Sequence, residues 1–244
     1  VWVWKWASKT VVPKAAVSFK ESYGELKKVL RGTAIWIHVN GVIAGAILTL
    51  DIFSLNFAHV DIEEIGRYSI ALKAANIFLL IPIAVVNSFG VYLGKHQHEQ
   101  NPKREQKMVL LMSGVFVLLC FALFQVAYYF GMPILDFIGK GKIEGDAFTR
   151  VMQYYYWQML GLMIFAASFP LSTYLGARAS LVKITTTLFL PWIAVATAVY
   201  MLAARQGALY AARANVITYG FLVLGLIVFF FVNKKEIDGN GKKA

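Results

Sequence analysis

The stretch Ile65 to Gly94, IGRYSIALKAANIFLLIPIAVVNSFGVYLG, decides how this chain is read. It is apolar and longer than the about 20 residues that a helix needs to cross ~30 Å of hydrocarbon. It nevertheless carries Arg67, Lys73, Asn76 and Asn87. Polar and ionisable groups at membrane depth are costly, so they face a protein interior or a water-filled cavity. On a helix, Ser69, Lys73, Asn76, Leu80 and Asn87 recur at three-, four- and seven-residue steps and share one face. Ile70, Ala74, Ile77 and Ile81 lie opposite, suited to lipid or apolar neighbours. One wet face and one dry face, interrupted by Pro82, predict a helix that lines a pathway.

The rest of the chain fits such a helix. Of 244 residues, 59% are apolar and 15% charged, and the mean hydropathy is +0.61. Soluble domains carry fewer apolar and more charged residues. The apolar runs are long and do not alternate, which excludes a barrel. The class is therefore an all-α integral membrane protein. Six spans are expected, at about 32–56, 65–94, 108–130, 150–176, 181–203 and 208–232. A basic interfacial segment, 1–31, precedes them, and a basic tail, 233–244, follows. The chain opens on Val1 rather than Met and shows no signal peptide, so a longer parent protein is expected.

The net charge of +11 raises nucleic acid as a partner. Its distribution argues against that: the basic residues cluster at span ends and in alternate loops, as membrane topology requires. The first loop, NFAHVDIEEIG, is acidic, whereas the second, KHQHEQNPKREQK, carries Lys95, Lys103, Arg104 and Lys107. Positive-inside counting places both termini and the second and fourth loops in the cytoplasm. Arg205 and Arg213 are the exceptions, on the outer side. Membrane lipids are the expected anionic neighbours.

Thr33, Asn40 and Asp51 share one face of the first span. They line a cavity, or else Asp51 simply ends the span at the headgroups. Lys73 lies about eight residues, ~12 Å, inside the second span. It presents positive charge to an anionic substrate, with Asp51 as its resting partner, or it snorkels to water. Arg67 reads as an interface anchor, and Tyr154, Tyr155, Tyr156 and Trp157 as an aromatic belt. Cys120, the one cysteine, lies in an apolar run and excludes an intramolecular disulfide. His96 and His98 lack further ligands for a metal. No phosphate-binding loop, HExxH or GxSxG occurs, and no carboxylate pair is placed for hydrolysis. The chain is thus read as no enzyme, with no cofactor or metal.

The order of features resembles the second half of polysaccharide and O-antigen flippases. These share a superfamily with multidrug-and-toxic-compound-extrusion (MATE-like) transporters and lipid II flippases. The resemblance rests on SYGELKKVLRGTA leading into a span that ends in LTLDIFSL, with Asp51 at the family's aspartate. Gly66-Arg67-Tyr68-Ser69-Ile70-Ala71 then opens the second span, Pro82-Ile83-Ala84 follows in it, and ASFPLSTYLGARAS (167–180) closes the fourth. The resemblance implies one six-helix lobe of a two-lobe transporter, with the N-terminal lobe as its partner. It implies a cytoplasmic membrane in a bacterium or archaeon. The first two spans would line the cavity, and a lipid-linked oligosaccharide would be flipped by alternating access. The substrate-pathway residues are then Asn40, Asp51, Ser69, Lys73, Asn76 and Asn87. A multidrug cation antiporter predicts cavity carboxylates instead. A non-transporting scaffold predicts polar stripes buried in helix contacts. An enzyme acting on polyprenyl phosphates would need acid and base residues clustered at one membrane face.

Overall fold

A computed structural model describes residues 39, 42–43, 45–96, 102–139 and 145–233. All but Val39 belong to one compact unit, residues 40–244. The segments 1–31 and 234–244 and the expected site residue Asn40 lie outside the described residues. The described chain is helical, with no strand among the described residues. The helices are α1 (Leu50–Phe57), α2 (Ile62–His96), α3 (Pro102–Gly139), α4 (Gly145–Ala167), α5 (Phe169–Arg178), α6 (Leu181–Ile184), α7 (Leu190–Ala204) and α8 (Ala208–Val232), with a π-helical turn, Thr185–Phe189, between α6 and α7.

Five helical stretches are long and apolar enough to span a membrane: 62–92, 104–138, 145–178, 181–204 and 208–232. They correspond to the second through sixth expected spans. The first, 32–56, falls mostly on residues outside the described set, and its described end is α1. The second and third helices outrun their apolar cores because the flanking Ile62-Glu63-Glu64 and Pro102-Lys103-Arg104 continue the helix into polar sequence. Pro82 was expected to interrupt the second span. Instead α2 runs unbroken through it, although the ring removes one backbone donor and leaves the carbonyl four residues earlier without its usual partner.

α4 is the central helix and packs most extensively on α8, α2 and α3. It buries Val151, Met152, Tyr154, Tyr155, Gln158, Met159, Gly161, Leu162, Met163 and Ala166, far more than the half-turn a surface helix hides. Against it α2 sets Tyr68, Ala71, Leu72, Ala75, Phe78 and Leu79, spaced at three and four residues. α3 buries a narrow seam that includes Gln106, Val109, Phe116, Cys120, Leu123, Ala127 and Leu135, and leaves Leu110, Leu111, Val117, Leu118 and Phe121 exposed. Such a face suits lipid, where exposed apolar side chains carry no penalty. The chain turns between α4 and α5 at Ser168, just before Pro170. Proline cannot supply the backbone donor that a continuous helix needs there. Ser168 closes the turn by donating from both its backbone N–H (3.0 Å) and its Oγ (2.7 Å) to the carbonyl of Phe165.

Small residues let the central helices approach closely, the usual device where lipid removes the hydrophobic drive. A Cβ on Gly161 would lie 2.8 Å from Cβ of Asn215 and 3.1 Å from its carbonyl carbon. Neither atom can swing aside without moving α8. Gly161→Ala should therefore cost about 1–3 kcal/mol by overpacking, read as a lower thermal midpoint in detergent. Gly176→Ala, with nothing within 4 Å, is the control and should be neutral or mildly stabilising. Equal midpoints for the two variants would refute the close contact.

Candidate functional site

Two polar regions stand out: the exposed side of α2 and a buried cluster in the heart of the helix bundle. On α2, Lys73, Leu80 and Asn87 are exposed, while Ser69 and Asn76 sit half-buried at the edge of the packed stripe. Ser69 Oγ donates back to the carbonyl of Ile65 at 2.8 Å, a common way to satisfy a hydroxyl on an apolar helix. Asn76 Oδ1 is buried and has no hydrogen-bond partner among the described residues. Lys73 carries no ion pair among the described residues. This face therefore offers one ammonium and two amides. The expected separation into a wet and a dry face is not found: Ile77 and Ile81, expected on the dry side, are exposed with Lys73, because Ile77 lies one turn on at i+4, and Ala74 is fully buried.

Asp51 does not join that face. It is 4% exposed and bonds inward. Its Oδ2 accepts from the hydroxyl of Tyr68 at 2.6 Å, and its Oδ1 accepts from the backbone N–H of Ile52 at 2.8 Å. The expected pairing of Asp51 with Lys73 is thus replaced by Asp51 with Tyr68. Tyr68 lies one turn and a half before Lys73 and points to the packed side of the same helix, so the two side chains face different surroundings.

The cluster extends from Tyr68 across the bundle. Asn215 Nδ2 donates to the Tyr68 hydroxyl at 3.4 Å. Its Oδ1 accepts from the Tyr200 hydroxyl at 2.5 Å, which also meets Thr218 Oγ1 at 2.8 Å. Trp192 Nε1 donates to the carbonyl of Thr218 at 2.8 Å, and the Tyr219 hydroxyl donates to the carbonyl of Ile47 at 3.1 Å. Gln158 Nε2 reaches the carbonyl of Tyr68 at 3.4 Å, but Gln158 Oε1 is buried without a partner among the described residues. Sequence reading missed Tyr68, Gln158, Tyr200, Asn215 and Thr218 as a group. The available signal was partial: Tyr200, Asn215 and Thr218 are polar side chains within apolar helices, where such residues must find partners, whereas Tyr68 and Gln158 follow polar or charged neighbours in sequence.

Charged residues sit at the two ends of the bundle. Where α2 and α4 begin, Arg67 pairs with Glu63 at 2.5 Å and Glu64 at 2.9 Å. Arg150 approaches Glu64 at 3.8 Å, and the Tyr154 hydroxyl donates to the same carboxylate. Arg67 is therefore a strut between turns of α2, and Glu64 a tie to α4. At the opposite end Arg178 of α5 pairs with Glu105 of α3 at 2.5 Å. The aromatic run of α4, expected as an interfacial belt, instead turns Tyr154 and Tyr155 into the bundle, where they are buried. Tyr155 donates to the carbonyl of Ala127 at 3.1 Å and Tyr156 to that of Tyr128 at 3.4 Å.

Cys120 is free and buried. His98 and the side chain of His96 lie outside the described residues. Among the described residues no group of three or more His, Cys, Asp or Glu side chains could hold a metal ion. The chemistry on offer is binding and charge compensation: an exposed ammonium with amides on one helix face, and a single buried carboxylate among hydroxyls and amides. No family model, no curated protein and no solved structure matches this chain.

Proposed function

We propose that this chain is the C-terminal lobe of a flippase that moves a polyprenyl-diphosphate oligosaccharide across a cytoplasmic membrane for polysaccharide synthesis. The observation that carries the reading is the uncovered side of α2. Lys73 stands there about eight residues, ~12 Å, past Ile65, where the apolar run begins, in a helix apolar enough to span a membrane. An ammonium at that depth needs an anion or strong acceptors. A second lobe across from this face would enclose a wet cleft with Lys73, Asn76 and Asn87 in its wall. The substrate diphosphate supplies the anion by charge-assisted contact, the amides meet sugar hydroxyls, and the polyprenyl tail stays in lipid. The lobes rock to expose the cleft to each side in turn. Both termini of this chain lie in the cytoplasm in this scheme. Asp51, held apart from the cleft by Tyr68, has no cationic side chain bonded to it among the described residues.

A drug-cation antiporter would place carboxylates on the open face, and the membrane-depth part of that face of α2 carries Lys73 and no carboxylate. A scaffold subunit would bury the polar stripe, and Lys73 and Asn87 are exposed. The test is translocation of a lipid-linked sugar by the full parent protein in vesicles. Lys73→Ala should insert normally and lose about tenfold to a hundredfold in rate, the equivalent of one charge-assisted bond. Lys73→Arg should keep part of the activity, since charge survives in a wider fork. Wild-type rates for Lys73→Ala at matched protein levels would reduce Lys73 to a snorkelling lysine and remove the basis of the reading.

A further inference from the structure

Away from α2, the outward face of α4 joins a cation to an apolar groove. Trp157, Leu160, Ile164 and Ala167 follow at three-, four- and three-residue steps, within an arc of about 80° at 100° per residue. The lower three, with Met163, form one wall of a groove of about 250 Å³, and Val117, Cys120, Phe121 and Phe124 of α3 form the other. The groove carries no charged lining residue. It lies between two helices able to span a membrane.

At the upper end of this face, Trp157 supports the guanidinium of Arg213 from α8. The Arg213 Cζ lies 5.3 Å from the Trp157 ring centre and 5.6 Å from that of Tyr210. Stacking on aromatic faces holds a guanidinium in place and leaves its in-plane N–H donors free. Arg213 is exposed, and no carboxylate pairs with it among the described residues. The neighbouring Arg67 and Arg150 are turned to Glu63 and Glu64. From Trp157 to Ala167 is ten residues, about 15 Å of helix, or one leaflet of a ~30 Å hydrocarbon core.

We propose that this face is a binding site for a membrane glycerophospholipid, its phosphate on Arg213 and one acyl chain in the groove between α3 and α4. Charge and depth both select this ligand. Arg213 offers a single compensating charge, which matches the single charge of a phosphodiester. The aromatic rings around it mark the headgroup level, where Trp and Tyr are enriched, and the groove begins one helical turn below. The site explains an arginine on the side of the membrane that positive-inside counting disfavours. It requires membrane insertion but not the transport reading, since it lies on a different helix face from Lys73.

The test is native mass spectrometry of the full-length protein, extracted in mild detergent from nanodiscs of phosphatidylcholine doped with phosphatidylglycerol. Wild-type protein should retain one phospholipid. Arg213→Gln should lower its occupancy about tenfold, the loss of one charge-assisted contact. Leu160→Trp should also lower it, by filling the groove while leaving Arg213 in place. Arg205→Gln, a change of the other arginine near that end of α8, should retain the lipid. Thermal midpoints measured without added lipid separate misfolding from lost binding. Three results would overturn the proposal: unchanged retention in a folded Arg213→Gln protein, retention of polyprenyl phosphate alone, or displacement of the lipid by millimolar inorganic phosphate.

Discussion

Replacing Arg178 by Ala should cost about 3–5 kcal/mol of stability, the usual penalty for stranding one member of a buried ion pair. Arg178 and Glu105 keep only 9% and 12% of their side-chain surface exposed and lie 2.5 Å apart, so neither carboxylate nor guanidinium can fall back on water. Each also favours its own helix terminus. Glu105 is in the first turn of α3, where negative charge is stabilised, and Arg178 is in the last turn of α5, where positive charge is. Glu105→Ala should therefore hurt comparably. The combined change Arg178→Met with Glu105→Leu should recover much of the loss, because an apolar pair of similar volume needs no compensating charge. Thermal unfolding in detergent, arranged as a double-mutant cycle, measures the coupling. Single losses below about 1 kcal/mol that simply add would show that water or headgroups already screen the pair.

Tyr68→Phe should weaken the bundle by about 1–3 kcal/mol, the cost of leaving a buried polar group without its partner. Its hydroxyl is the side-chain donor to Asp51 and also the acceptor for Asn215. The variant keeps the ring, its packing and its contact with Tyr154, whose centroid lies 5.9 Å away. The loss thus reports the hydroxyl and not a cavity. The decisive comparison adds Asp51→Leu. Without a carboxylate to satisfy, the double variant should be more stable than Tyr68→Phe alone, although it has lost more polar contacts. If Tyr68→Phe is silent, Asp51 finds its compensation elsewhere, and the bond at 2.6 Å is incidental to stability.

The five helices long and apolar enough to span a membrane were legible because hydropathy alone marks them. Span five was expected at 181–203 and is found at 181–204, and span six falls at 208–232 in both. Their limits are sharp because Ser180 and Gly207 stop the chain beside them. α2 and α3 run longer than expected because helix hydrogen bonding does not end where lipid does. The turn at Ser168 was visible in Pro170 but was read through as one span. Lys73 and Asn87 are exposed on α2, but so are Ile77 and Ile81, so periodicity did not separate two faces. It failed for Asp51, since span-by-span reading saw only its closeness to a helix end. What buries Asp51 is a set of partners spread over α2, α7 and α8, a tertiary fact that no local window contains. The pair Arg178–Glu105, 73 residues apart in sequence, was hidden for the same reason.

The polar cluster also constrains how the chain is made. Asp51 leaves the ribosome 17 residues before Tyr68, and Tyr68 leaves 147 residues before Asn215. At about 5–20 residues per second, that second interval lasts roughly 7–30 seconds. Throughout it, the Asp51 carboxylate and the Tyr68 phenol lack the Asn215 amide, with each other and the Ile52 backbone N–H as polar partners. The hairpin of α1 and α2 must therefore arrive as a self-satisfied pair, and Tyr68 acts as chaperone to Asp51 until α8 is synthesised. A nascent chain stalled before α8 would leave Tyr200 and Tyr68 without Asn215, a lipid-buried defect for membrane quality control to recognise.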